Sequence, residues 1–320
     1  MPSEARRREH RCIAPESLSD VVTARNTPRE ILLCDTEGGP ILVFASDSVI
    51  GRSVATRGHF GEAKIDEVVS ALLRHDLRPR RFIDIGANIG THILYALASG
   101  QFRQAIAIEA DPDNFLLLRA NVALRGLGER ATLIHCALSS AIGVAELELC
   151  PSNFGDHRVR VPSIVHARDL GETMRQTRRV PADTADNLLN ASPSVWRETL
   201  VWMDTQGHEG HILGGARESL CAWAPAVVME FWPYGLQRAG GKQAYFEFLA
   251  GATTIYDVNR PAWITQGQVS VPELLETYER MLQETRADYH PHTDLLCIRP
   301  AAAMPGAAAD APHDLTGERS

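Results

Sequence analysis

The segment Asp84-Ile85-Gly86-Ala87-Asn88-Ile89-Gly90 closes a short apolar run on a carboxylate and leaves it through two glycines with an asparagine between them. Gly86 lets the backbone turn tightly without a Cβ clash, and Gly90 lets a following helix begin close to the sheet or to a ligand. The N-terminus of that helix adds a partial positive charge and free N–H groups, suited to a carboxylate or a phosphate. The dinucleotide fingerprint G-x-G-x-x-G is not met, because Asn88 takes the second glycine position and Thr91 the third. The closest approach, that of a pyrophosphate, is therefore not provided, whereas a smaller nucleoside carrying an amino acid fits. Asp84 could accept hydrogen bonds from a ligand ammonium group or a structural water. About twenty residues on, Glu109 stands one residue before the close of the next apolar run and Asp111 just after it, a placement that binds a ribose diol. The third run ends His135-Cys136-Ala137-Leu138-Ser139, where residues would flank an adenine ring.

A second cluster lies in TLVWMDTQGHEGH. Asp204 ends an apolar run, and His208, Glu209 and His211 open the helix behind it. The order H-E-G-H is not the H-E-x-x-H of two histidines one turn apart, so zinc-protease geometry is absent. A divalent ion held by Asp204 and another carboxylate would be workable chemistry, but no oxygen-ligand cluster recurs nearby and no metal is expected. Glu230 interrupts the apolar run PAVVMEFWP. A carboxylate there is costly unless it is paired or at the open end of a sheet. It either faces a pocket with Trp232 as a wall or serves a structural ion pair.

These residues need a scaffold that brings strand ends together. RFIDIG reads as a strand and NIGTHILYALAS as a helix; AIAIEA is a strand, and DPDNFLLLRANVALRGLG a helix with an Asp-Pro start and a glycine stop. ATLIHCAL is a third strand, and VAELELC an extra strand in a hairpin. PADTADNLLNA reads as a short helix, TLVWMD as the fourth strand, GHEGHILGGARESLCAW as a helix, PAVVMEFWP as the fifth strand and KQAYFEFLAGA as a helix. TTIYDV and DLLCIRP close the sheet. Such alternation predicts a mostly parallel α/β sheet, helices on both faces, with ligands at the carboxyl ends of the strands.

Ahead of this body, EILLCD and GGPILVFAS alternate around Glu37-Gly38-Gly39-Pro40 as a hairpin, and residues 65 to 77 carry one apolar helix face. The expected organisation is a disordered tail over 1–28, a hairpin and helix extension over 29–80, a ligand-binding domain over 81–300 and a disordered tail over 301–320. Residues 151–180 read as a loop-rich insertion, a possible lid over the acceptor. Its arginines, Arg158, Arg160, Arg168, Arg175, Arg178 and Arg179, would suit an anionic or glycosylated substrate, or else belong to a solvated loop. His290 and His292 could approach the site from the last strand.

Bulk properties narrow the partners. A formal charge of −8 argues against a nucleic-acid or membrane-surface binder, both of which need a basic field. The basic run Arg6-Arg7-Arg8 with Arg11 reads as a solvated tail. Six cysteines without a CxxC or paired spacing fit a reducing compartment. With no apolar stretch behind the first arginines and no span-length run, a cytoplasmic location is expected.

Taken as a set, DIGANIG, IEADPDNFLLLRANVAL, HCALS, MDTQGHEGHILGGA and VVMEFWP resemble the FkbM family of S-adenosylmethionine-dependent methyltransferases, over about 60–300 and least well across 151–180. The resemblance implies a Rossmann-like class I methyltransferase with a seven-stranded sheet. It implies S-adenosylmethionine as cofactor, with Asp84, Gly86, Asn88 and Gly90 along its methionine part and Thr91 beside them. Glu109 would hold the ribose hydroxyls, flanked by Ala110 and Asp111, and Cys136 and Ala137 would border the adenine. Many members methylate oxygen on secondary metabolites or sugars, so the implied partner is a small hydroxylated acceptor. The family's D-x-E-G-x-E segment stands here as Asp204-Thr205-Gln206-Gly207-His208-Glu209, with Gln206 in place of a carboxylate. An alcohol acceptor must lose its proton near the transition state. Asp204 is the first candidate for that base or for a hydroxyl ligand, His208 the second, and Glu209 a third that could instead only complement the helix dipole. A nicotinamide oxidoreductase, against which the broken glycine pattern argues, and a non-catalytic nucleoside-binding module are the alternatives.

Overall fold

The computed structural model describes residues 29–299 apart from 162–171, 173–174 and 287–288. The expected tails, with the basic run of the first, and Arg168 of the insertion lie outside the described residues. In chain order the elements are β1 (Ile31–Cys34), β2 (Ile41–Phe44), α1 (Ile50–Arg57), α2 (Glu62–Arg74), β3 (Arg81–Ile85), α3 (Thr91–Ala98), β4 (Gln104–Glu109), α4 (Pro112–Leu124) and β5 (Ala131–His135). Next come β6 (Ala137–Leu138), β7 (Gly143–Leu149), β8 (Arg158–Val159), β9 (Gln176–Asp183), α5 (Ala185–Leu188) and α6 (Pro193–Arg197). The chain continues with β10 (Thr199–Met203), α7 (Glu209–Gly214), α8 (Leu220–Trp223), β11 (Ala226–Phe231), α9 (Pro233–Ala239) and α10 (Lys242–Ala250). It closes with β12 (Thr254–Asp257), α11 (Trp263–Gln266), β13 (Gln268–Val269), α12 (Val271–Glu284) and β14 (Thr293–Ile298).

The main sheet has the order β13-β12-β14-β11-β10-β3-β4-β5. All seven expected strands are in it, and the two-residue β13 adds an eighth at one edge. β11, β10, β3, β4 and β5 run parallel, while β14 is antiparallel to both β11 and β12. The chain fills the sheet outward from β3 through β4 to β5, then returns to the other side of β3 as β10. The switch point is therefore the crevice between the ends of β3 and β10, where ligands of such sheets bind.

Strand alternation divides the core in two. Phe82 and Trp202 pack on one face with helices α3 and α4, whereas Ile83, Ile85, Val201 and Met203 pack on the other with α7 and α10. Each fully buried apolar side chain contributes about 1.5–3 kcal/mol. Asp84 shares the α3 face with Phe82, opposite Trp202 in register, so a carboxylate lies beneath the start of α3. The hairpin extension is clamped to α4. Asn121 accepts from Leu42 N–H (2.7 Å) and donates to Leu42 carbonyl (3.0 Å), while Arg125 donates to the carbonyls of Pro40 and Gly39.

Local differences from the sequence reading have identifiable causes. The third run splits at Cys136: β5 ends at His135, Cys136 N–H turns to the Glu109 carbonyl (3.0 Å), and β6 joins a second sheet of order β6-β9-β7-β8. VAELELC is a strand of that sheet, paired with β9 rather than confined to a local hairpin. The expected loop-rich insertion contains β8 and the start of β9, and the short helix begins only at Ala185 because Pro181–Asp183 finish β9. The single helix read over 207–223 is two, α7 and α8. Gly215 separates them, and a Cβ there would lie 2.2 Å from the Ser139 carbonyl.

The insertion arginines are used internally. Arg158 pairs with Asp156 (2.6 Å) and Glu172, Arg175 with Asp156 (2.6 Å), Arg160 with Glu148 (2.9 Å), and Arg238 of α9 with Glu148 and Glu172. Arg178 pairs with Asp111 and Asp113 (3.1 Å each). Of these groups Glu148, Arg158, Glu172 and Arg238 are all buried. Neither a substrate-facing role nor a solvated loop describes these paired groups; among the described insertion arginines only Arg179 is exposed. Removing one member strands a buried charge, which costs about 3–5 kcal/mol. Arg238→Ala should lose that much in urea denaturation; a loss below about 1 kcal/mol would mean the lattice relaxes into water.

Candidate active site

One cleft opens at the switch point. Its walls come from Gly86, Ala87 and Asn88 after β3, Thr91 and His92 of α3, Glu109 and Ala110 after β4, and Cys136, Ala137 and Leu138 after β5. Asp204, Thr205, Gln206 and His208 after β10 complete it, with Ile50 and Phe60 from the extension and Phe154, Gly155, His157 and Val159 from the insertion. It encloses about 820 Å³, part of it continuous with solvent.

The turn that lines it is set by backbone contacts. Gly86 has φ 87°, and a Cβ there would stand 1.9 Å from the main-chain oxygen of Asp204. The N–H groups of Gly86 and Ala87 both donate to the Ile108 carbonyl (2.9 and 3.0 Å), binding the turn to β4. Asn88, at φ 51°, donates its N–H to Glu109 Oε2 (2.8 Å) and its side-chain amide to the Phe154 carbonyl (2.9 Å). Gly90 answers to packing instead: a Cβ at φ 95° would be 2.6 Å from Leu118 of α4, and the residue does not line the cleft.

At the β4 end, Glu109 Oε1 accepts from Asp111 N–H (2.7 Å). Burial pushes its carboxyl up to about 8, against the lowering by the backbone donors of Asp111 and Asn88. Asp111 is spent elsewhere: its Oδ1 caps α4 through the N–H groups of Asp113 and Asn114, and its Oδ2 faces Arg178. It is fully buried and absent from the cleft walls. The described start of the insertion meets this end, where the Phe154 carbonyl takes hydrogen bonds from both Asn88 and Asn114 (2.9 and 3.0 Å). Phe154 had no signal in the sequence beyond being an aromatic residue in a polar stretch.

At the β10 end the candidates separate. Asp204, partly exposed, accepts from Gln206 Nε2 (2.8 Å), and burial followed by the charge of Asp294 raises its pKa. His208 lines the cleft with Nε2 3.0 Å from Ser139 Oγ, but burial and then the neighbouring His211 push it down to about 3. It is therefore neutral, and its Nδ1 has no partner among the described residues. Glu209 does not reach the cleft. It is fully buried, its Oε1 bracing Thr205 N–H and Oγ1 (2.8 Å each), and burial raises it to about 7. Glu230 is likewise off the cleft wall, 3.5 Å from Gln206 Nε2, with burial, then Asp204, raising its pKa well above the usual range. Trp232 stacks on Arg158 instead of forming a pocket wall, and His290 and His292 do not line the cleft either. Among the described residues no group of three or more His, Cys, Asp or Glu side chains is arranged to hold a metal.

Asp84 is 1% exposed and lies under the turn, outside the cleft walls, with Oδ1 3.8 Å from His92 Nδ1 and Oδ2 without a hydrogen-bond partner among the described residues. His92 was missed from sequence. The signal available was a histidine one residue into the helix after the glycine turn, on the face that α3 turns toward Asp84.

The FkbM methyltransferase domain matches residues 84–256, from the end of β3 into β12, and so takes in every strand tip of this cleft. The chain belongs to the FkbM methyltransferase family. Among solved structures this FkbM chain is similar to an FkbM methyltransferase from Methylobacillus flagellatus KT, at 19% identity over 54% of this chain and 37% of that one, TM-score 0.35. It is also similar to the precorrin-6y C5,15-methyltransferase of Geobacter metallireducens GS-15, at 11% identity over 73% and 87% of the two chains, TM-score 0.34. The plantazolicin methyltransferase BamL, solved with a desmethyl plantazolicin analogue and SAH, matches at 8% identity over 75% and 85%, TM-score 0.38. The chain spans between 37% and 51% of the length of the first solved structures it matches. No curated protein matches it. No helix among the described residues is long and apolar enough to cross a membrane.

Proposed function

We propose that this FkbM protein transfers a methyl group from S-adenosylmethionine to a hydroxyl of a small molecule, a secondary metabolite or a sugar. The observation that carries the reading is one cleft running from Glu109 past the Gly86–Asn88 turn to Asp204, across the tips of three neighbouring strands. The residues fit such a donor: a carboxylate at the β4 tip suits a ribose diol, and Cys136, Ala137 and Leu138 offer an apolar wall to adenine. The turn after β3 presents backbone rather than side chains to the methionine part. When bound, the donor supplies a sulfonium methyl open to in-line displacement. Asp204 receives the acceptor hydroxyl at the far end and fixes its approach, a positioning effect of several kcal/mol with ~7–11 as an upper range. A small acceptor is favoured over nucleic acid because the chain's formal charge of −8 supplies no basic field for a phosphate backbone.

Calorimetry with S-adenosylhomocysteine (SAH) should show binding, and with NAD none; the reverse would return the chain to nicotinamide chemistry. Asp204→Asn should leave SAH affinity within about threefold and slow methyl transfer to hydroxylated acceptors by about 100-fold or more. An unchanged rate would take Asp204 out of the acceptor pocket.

A further inference from the structure

Resting on the methyl-transfer reading above, we infer that His92, oriented by Asp84, takes the proton of the acceptor hydroxyl. His92 lines the cleft beside Asp204 and Gln206, its ring tilted over Trp202 with centroids 4.9 Å apart. Nδ1 faces the buried carboxylate of Asp84 at 3.8 Å, an ion-pair contact that favours a proton on Nδ1 and leaves Nε2 as the accepting nitrogen. Nε2 makes no hydrogen bond among the described residues. The space before it is kept by Gly61, where a Cβ would stand 2.9 Å away.

The charged groups around the ring are Asp84 from β3, Asp204 from the turn after β10 and Asp294 from β14, the last 3.5 Å from Lys64 of α2. Burial alone would lower His92, but Asp84, then the charges of Asp204 and Asp294, hold it above the ordinary histidine value. An imidazolium formed there is stabilised by carboxylates on both sides. In the step itself, an oxygen lone pair forms the C–O bond to the methyl carbon as the C–S bond breaks. That bond's electron pair stays on sulfur, leaving neutral SAH. The hydroxyl proton passes to Nε2 and is later lost to water.

The placement has a consequence in binding that needs no acceptor. A protonated His92 repels the sulfonium of S-adenosylmethionine but not neutral SAH. The ratio of the two affinities, by calorimetry on the full chain, should therefore rise about tenfold from about pH 5.5 to about pH 8.5. Groups that act on both ligands alike, Glu109 among them, cancel in the ratio. In His92→Asn and His92→Gln the ratio should be flat, with SAH affinity within about threefold of the unaltered protein. On a hydroxylated acceptor both variants should turn over about 100-fold more slowly and lose the acid limb of kcat/KM. A flat ratio in the unaltered protein, an unchanged slope in both variants, or loss of SAH binding in both would overturn the assignment. Binding without the slope sinks His92 alone; failure of either ligand to bind the unaltered protein sinks the methyltransferase reading and this inference with it.

Discussion

Gly86→Ala is expected to lower stability by about 3 kcal/mol and to take SAH binding below detection. The added methyl meets two obstacles at once. At φ 87° an L side chain strains the left-handed region by about 1–2 kcal/mol, and forced overpacking adds about 1–3. The atom it strikes, the Asp204 oxygen at 1.9 Å, belongs to main chain and cannot rotate aside. Contacts of this kind do not fall below 3.0 Å, so the two turns must separate by about 1 Å. Urea denaturation and calorimetry on one preparation read both effects. Normal SAH affinity in a destabilised variant would show that the two turns are not the donor's cradle.

Glu109→Ala should weaken SAH about 100-fold or more above about pH 8, where the carboxyl is ionised, since two hydrogen bonds to a charged acceptor at ~1.5–3 kcal/mol each are lost. The pH dependence has a definite sign. Burial raises the Glu109 carboxyl from its ordinary value of 4.5 to about 8. Between these values the unfolded chain has lost the proton while the folded chain keeps it, so this group's contribution to stability falls as pH rises through that window. Ligand binding runs the other way. A ribose diol donates to the ionised carboxylate, so SAH affinity should climb toward about pH 8 and level off above it. Glu109→Gln should flatten the curve. A climb that survives in that variant would assign the titration to another group.

The strand-and-helix order from β3 to β5, and the later sheet strands β10 and β11, could be read directly, because each run is short, apolar and bounded by Asp, Gly or Pro. The turn at 84–90 and the acid at 109 were equally plain, and the structure brings Gly86, Asn88 and Glu109 into one wall of the cleft. What could not be read was which polar residues are consumed by the fold. Asp111 caps a helix that its Asp-Pro sequence already announced, Glu209 braces its own loop, and Gly90 makes room for Leu118. The insertion misled for a similar reason. Arg160 and Arg178 looked surplus because their acidic partners, Glu148, Asp111 and Asp113, come from other parts of the chain, whereas Arg158 and Arg175 pair within the insertion with Asp156 and Glu172. His92 was hidden by the helix pattern around it, since only the register of β3 against β10 reveals that Asp84 and Trp202 form its floor.

Because the loops after β3 and β10 meet through a glycine and a carbonyl, the distance between them owes nothing to the side chain at 204 or 206. Side chains at the acceptor end can thus change by point substitution while the turn after β3 keeps its place. A change at Gln206, which lines the cleft, can therefore alter the acceptor end without moving the turn that Gly86 makes.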